Sequence, residues 1–126
     1  MDLRTPLGRV RGLGSAKTGL HHWWAQRLTA VALVPLTLWF VGVTIAMVNG
    51  DYDSARAWVS GPFVAAIWVL FLVALFHHAQ LGMQVIIEDY VHDEAFKLTA
   101  LILMKLIFAI VGLVAVIAVL RIALGS

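Results

Sequence analysis

Residues 62–90 read PFVAAIWVLFLVALFHHAQLGMQVIIEDY, and no Asp, Glu, Lys or Arg occurs in that run before Glu88. A bilayer-spanning helix needs about 20 mostly apolar residues, so this stretch is long enough to cross a membrane and to tilt or protrude. Charges are also missing from Leu28 to Gly50 and from Leu98 to Met104, and after Lys105 none occurs until Arg121. These gaps place transmembrane helices near residues 28–48, 62–87 and 95–120 of a single membrane-anchor domain spanning residues 1–126, with 1–27 as a surface segment. The expected fold is an all-α membrane protein with three spans. Composition agrees: of 126 residues, 62% are hydrophobic and 13% charged, against about 25% charged in a soluble domain. A disordered chain and a free-standing soluble domain are excluded. There are no cysteines, so neither a disulfide scaffold nor a thiolate-held cluster can be built from this chain.

Charge placement gives an expected orientation. Arg4, Arg9, Arg11, Lys17 and Arg27 precede the first span, against Asp2 alone. The first loop has Arg56, the second has Lys97, and the tail has Arg121. Counting only Lys and Arg puts the N-terminus in the cytoplasm and the C-terminus outside. The first span is too long, and too far from the start, for a cleaved signal peptide. Gly8, Gly12, Gly14 and Gly19 make the leading segment a poor helix former until about His21. Small residues suited to helix contact are Gly42 and Ala46, then Ala74 and Gly82, then Gly112 and Ala115. Three spans make a thin bundle with little protein around a polar group at depth, so a partner's helices are expected to complete it.

The polar residues within the second span carry the functional reading, because such residues are rare in membranes and usually functional. With Glu88 at the cytoplasmic interface, His78 lies about 15 Å deeper, near the midplane. A neutral imidazole there needs a hydrogen-bond partner or a metal, and haem iron is a natural candidate. Gly82, four residues on, shares its face and leaves room for a flat macrocycle. Asp89 is offset from His78 by only about 20° and lies three turns toward the interface, with Tyr90 beside it. A transmembrane histidine can equally hydrogen-bond another helix, and a tyrosine can simply mark an interface. His77 points about 100° away from His78 and rivals it as a ligand; spacing does not choose between them.

At the start of the first span, Trp23 and Trp24 read as an interfacial belt. Arg27 can snorkel to lipid phosphates or pair with an anionic cofactor group. Lys105 reads as a snorkelling side chain, and Asp93-Glu94 as a solvated loop with a helix cap. No phosphate-binding glycine loop, HExxH or nucleophile elbow is present. The basic N-terminus is explained by membrane orientation and implies no nucleic-acid partner.

The segment His78-Ala79-x-x-Gly82-Met83-x-x-x-x-x-Asp89-Tyr90 resembles the second transmembrane helix of the succinate dehydrogenase hydrophobic membrane anchor family, the D subunit. Gly14-Ser15-Ala16-Lys17-x-Gly19-x-x-His22-Trp23-Trp24-x-Gln26-Arg27 resembles the start of helix 1 in its alphaproteobacterial members. The resemblance implies that His78 is an axial ligand to haem b, with the second ligand from a partner cytochrome b subunit. It implies that Tyr90 hydrogen-bonds ubiquinone, the substrate, and that Asp89 supports that tyrosine and proton delivery. Arg27 and, by spacing, His21 fall near the haem propionates, and Gly82 packs against the macrocycle. No residue here is then catalytic for succinate oxidation, which belongs to a flavoprotein and an iron–sulfur subunit of the same enzyme. The implied function is the anchor of succinate:ubiquinone oxidoreductase, respiratory complex II, in a bacterial cytoplasmic (inner) membrane. A fumarate reductase anchor, or a structural or transporter subunit without haem, are the alternatives.

Overall fold

The computed structural model describes residues 5–7 and 17–125. It contains α1 (Lys17–Met47), α2 (Tyr52–Val59), α3 (Pro62–Tyr90) and α4 (Glu94–Ala123). Three of these, α1, α3 and α4, are long and apolar enough to cross a membrane, as the charge gaps require. The expectations resting on residues 1–4 and 8–16, including Arg4, Arg9, Arg11 and most of the glycine-rich leader, lie outside the described residues.

Helix α1 begins well before residue 28, so at least residues 17–27 of the expected surface segment are its first three turns. Glycine costs a helix only about 1 kcal/mol, and a Cβ at Gly19 would touch nothing within 4 Å. Unpaired backbone near an apolar phase costs several kcal/mol, so the helix continues outward through Gly19. Pro35 sits inside α1 without ending it, which transmembrane helices tolerate. Two hydroxyls in the spans are satisfied within their own helices. Thr44 Oγ1 donates to Phe40 O at 2.8 Å and Thr99 Oγ1 to Ala95 O at 2.9 Å, the back-bond that lets threonine sit in an apolar helix.

The short helix α2 follows from a cap. Asp51 accepts from the Ser54 amide at 2.9 Å, and its hydrogen bonds with Ser54 hold its carboxyl below the usual value. Gly61 then caps α3, with proline in the first turn. At the other turn, Asp93 caps α4 by accepting from the Ala95 and Phe96 amides at 3.0 and 3.5 Å, as the sequence suggests. Gly125 closes α4 with φ +78°, and its carbonyl accepts from Arg56 Nη2 at 2.8 Å.

Helix α3 lies between α1 and α4 and contacts both, while α2 rests on α3 and α4. Leu33, Phe71 and Ala74 form the core with Leu36, Phe40 and Trp68 around them. Helix α4 approaches α3 closely at Gly112, where a Cβ would lie 3.3 Å from Phe76 Cγ. Gly42 and Ala46 are exposed instead, and a Cβ at Gly42 would touch nothing within 4 Å. Only 17% of the most apolar window of α3 is buried, and 6% in α1 and α4. Most of the apolar surface is therefore left for lipid or other chains.

Candidate functional site

Antiparallel packing of α1 on α3 sets the site. His22, Gln26, Thr29 and Leu33 recur at helical spacing, so they share one face of α1. That face meets His78 and Gly82 of α3. Thr29 Oγ1 lies 3.1 Å from His78 Nδ1, and a Cβ at Gly82 would come nearest to Gln26 Nε2, at 3.9 Å. That distance is ordinary contact, so no neighbour within the described chain requires glycine at position 82.

The two adjacent histidines are sorted by this packing. His78 is half-buried against α1 and borders a groove of about 390 Å³ otherwise lined by Ala30, Leu33, Val34, Thr37 and Leu38. His77 is exposed and borders two other grooves, one with Gln80, Phe108 and Gly112 between α3 and α4, and a smaller one of about 220 Å³ with Leu28, Thr29 and Ala32 of α1. Among the described residues, Thr29 is the one hydrogen-bond partner of His78, and its Nε2 has none. Groups of three or more His, Asp or Glu able to enclose a bare metal ion are absent among the described residues. An iron already held in a macrocycle asks a helix for a single imidazole, and His78 can offer one.

Among the described residues, two more polar atoms on the α1 face, His22 Nε2 and Gln26 Oε1, are enclosed without a partner. Buried polar groups are normally paired, so their partners lie outside the described residues. His21, favoured by spacing, is exposed, and its neighbour His22 is the one turned inward. Arg27 stands about 200° round α1 from Thr29 and lays its guanidinium over Trp23 at 5.9 Å. Within this chain it is therefore not brought to Asp89. Asp89 and Tyr90 end α3 fully on the surface, with Tyr90 78% exposed. Nearby, Gln84 Nε2 donates to Glu88 Oε1 at 3.0 Å.

The sequence reading did not single out Thr29, and Gln26 and His22 entered it only through the resemblance. Their four-then-three spacing is the signal that could have found them, because it continues to the buried Leu33.

The comparisons point in one direction. A family model described as succinate dehydrogenase/fumarate reductase transmembrane subunit matches residues 1–120. The chain is 37% identical over 114 residues to the succinate dehydrogenase hydrophobic membrane anchor subunit of Rickettsia bellii, covering 90% of each. It is 35% identical over 124 residues to the protein of that name from Paracoccus denitrificans, covering 97% of this chain and 94% of the relative. The succinate dehydrogenase membrane anchor subunit of Reclinomonas americana is 33% identical over 94 residues, covering 72% of this chain and 78% of the relative. No solved structure matches significantly.

Proposed function

The chain belongs to the succinate dehydrogenase/fumarate reductase transmembrane subunit family, and from that premise we propose that it anchors a succinate:ubiquinone oxidoreductase and binds haem b and ubiquinone there. It is a multi-pass membrane anchor subunit of succinate dehydrogenase. The observation that carries the finer reading is the placing of His78. Its ring sits at depth in α3, secured at Nδ1 by Thr29, beside a groove and the bare backbone of Gly82.

The residues fit a haem edge. A Cβ at Gly82 would enter space that no packing of this chain needs. The enclosed atoms His22 Nε2 and Gln26 Oε1 lie on the same helix face toward the N-terminal end, where polar substituents of a macrocycle could be met. Haem, when bound, supplies a one-electron store beside the quinone. In this reading His78 would hold the iron from this chain's side, and the rest of the haem would be held by another membrane subunit.

Tyr90 and Asp89 form one wall of the quinone site. The exposed phenol donates a hydrogen bond to a carbonyl oxygen and stabilises negative charge as it develops there. The Asp89 carboxylate beside it relays protons from the aqueous side. With no cysteine, the chain leaves the electron-carrying clusters to an iron–sulfur subunit, and succinate oxidation to a flavoprotein. The N-terminus faces the cytoplasm of a bacterium by the Lys/Arg asymmetry.

The test is to purify the assembled complex in detergent and record a succinate-reduced minus oxidised spectrum. A b-type band is expected, at one haem per anchor subunit. A colourless complex with full succinate–ubiquinone activity would overturn the haem assignment.

A further inference from the structure

We infer that Thr29 is a positioning residue for His78: its hydroxyl fixes the ring as the tautomer protonated on Nδ1 and leaves the Nε2 lone pair free for a metal. The inference rests on the proposal that His78 is a haem ligand.

A threonine hydroxyl has one proton to give and two lone pairs to offer. The proton of Thr29 is already directed along its own helix, to Ala25 O at 2.7 Å and more weakly to Gln26 O at 3.2 Å. What Oγ1 presents across the interface, 3.1 Å from His78 Nδ1, is therefore a lone pair. An acceptor at that distance requires the ring proton on Nδ1. In neutral imidazole the other nitrogen then carries the lone pair.

Three features keep the arrangement in place. Threonine is branched at Cβ, and in a helix its hydroxyl adopts the rotamer that bonds the preceding turn. Apart from Thr37 the surroundings are apolar: His78 borders Ala30, Leu33, Val34 and Leu38, and its face continues to buried Ala74 and Leu81. Thr29 is the one hydrogen-bond partner of Nδ1 among the described residues. A ligating histidine whose second nitrogen donates to an oxygen is both oriented and made more basic. Thr29 thus gives α1 a direct hold on the chemistry of a residue in α3.

The experiment uses the purified complex with Thr29→Val, which keeps the shape and removes the acceptor, and Thr29→Ser, which keeps the hydroxyl. Dye-linked succinate oxidation that co-purifies with a tagged anchor subunit reports assembly. Thr29→Val is expected to weaken haem retention by about 10-fold to 100-fold and to raise the haem midpoint potential, because a less basic imidazole favours ferric iron less. Thr29→Ser is expected to restore both. A Thr29→Val complex with wild-type potential and retention would overturn the role. If Val blocks assembly, Thr29→Ser decides alone: a wild-type potential supports the role and a shifted one overturns it. His78→Ala runs alongside: retained haem with an unchanged spectrum there would sink the ligand assignment itself, whereas its loss leaves a negative Thr29 result confined to the present inference.

Discussion

The two ends of the helical bundle are finished to different degrees. At the end bearing residues 48–61 and the C-terminus, aromatic rings close on one another. Phe40 stacks on Phe71 at 5.1 Å, Trp39 meets Trp68 at 5.2 Å, and Trp58 of α2 reaches Trp39 at 5.7 Å. Arg56 fastens α2 to the end of α4, and among the described residues one enclosed donor, Trp68 Nε1, lacks a partner. At the end bearing the N-terminus, His22 Nε2 and Gln26 Oε1 are enclosed without partners among the described residues, and Tyr90 is exposed. The first end is stabilised by the chain's own side chains. The second leaves polar atoms that no described residue pairs, and His22, Arg27, Asp89 and Tyr90 lie in it, with His78 nearer the middle of α3.

Substitutions at the two ends should therefore fail in different ways. The largest effect is expected at His78. His78→Ala should abolish the b-type band of the purified complex while His77→Ala keeps it; the reverse pattern would reassign the ligand. Tyr90→Phe should lower ubiquinone reduction about 10-fold to 100-fold, as loss of a hydrogen bond worth roughly 1.5–3 kcal/mol to developing charge implies. Dye-linked succinate oxidation should stay at the wild-type rate, and equal loss of both activities would remove Tyr90 from the quinone site.

Gly82→Ala should leave assembly intact, since a Cβ there meets ordinary contact, yet reduce haem content measured by pyridine haemochrome. Failure to assemble with haem still bound would make Gly82 a packing residue like Gly112. Phe71→Ala tests the other end. Lipid is as apolar as the core, so little transfer energy is at stake, and the lost aromatic pairs at about 0.5–1.5 kcal/mol each set the cost. A lower Tm with an unchanged haem spectrum is expected, and an altered spectrum would couple the two ends.

The smallest effect belongs to Asp51. Its folded carboxyl sits below its ordinary value, so its contribution to α2 is present above the unfolded pKa and fades as pH falls through the folded one. Asp51→Ala should speed amide exchange across residues 52–55 at neutral pH, and the difference from wild type should vanish in acid.

The spans were legible because exclusion of charge is a signal extending over whole helices, and each of the three gaps became a helix. The true start of α1 was not, because a few tolerable glycines look like a boundary while the backbone's need for internal pairing overrides them. Helix α2 was missed for the opposite reason: eight residues with Asp53 and Arg56 resemble a loop, although Asp51 followed by Ser54 already spells its cap. The stripe from His78 to Asp89 was legible from helical period alone. Which of His77 and His78 faces inward was not, since that depends on where α1 packs. Thr29 was invisible for the same reason: a hydroxyl within an apolar run gains meaning only when the register of two helices is known.

The position of α3 between α1 and α4 also bears on biogenesis. Among the transmembrane helices, each packs chiefly on the one synthesised just before it, so contacts within the chain can form in the order of translation. Such sequential pairing avoids long-range closure, the slow step in many folds. No span has to wait in the bilayer for a distant segment of its own chain. The Thr29–His78 pair, formed between the first two spans, can be ready before the third has left the ribosome.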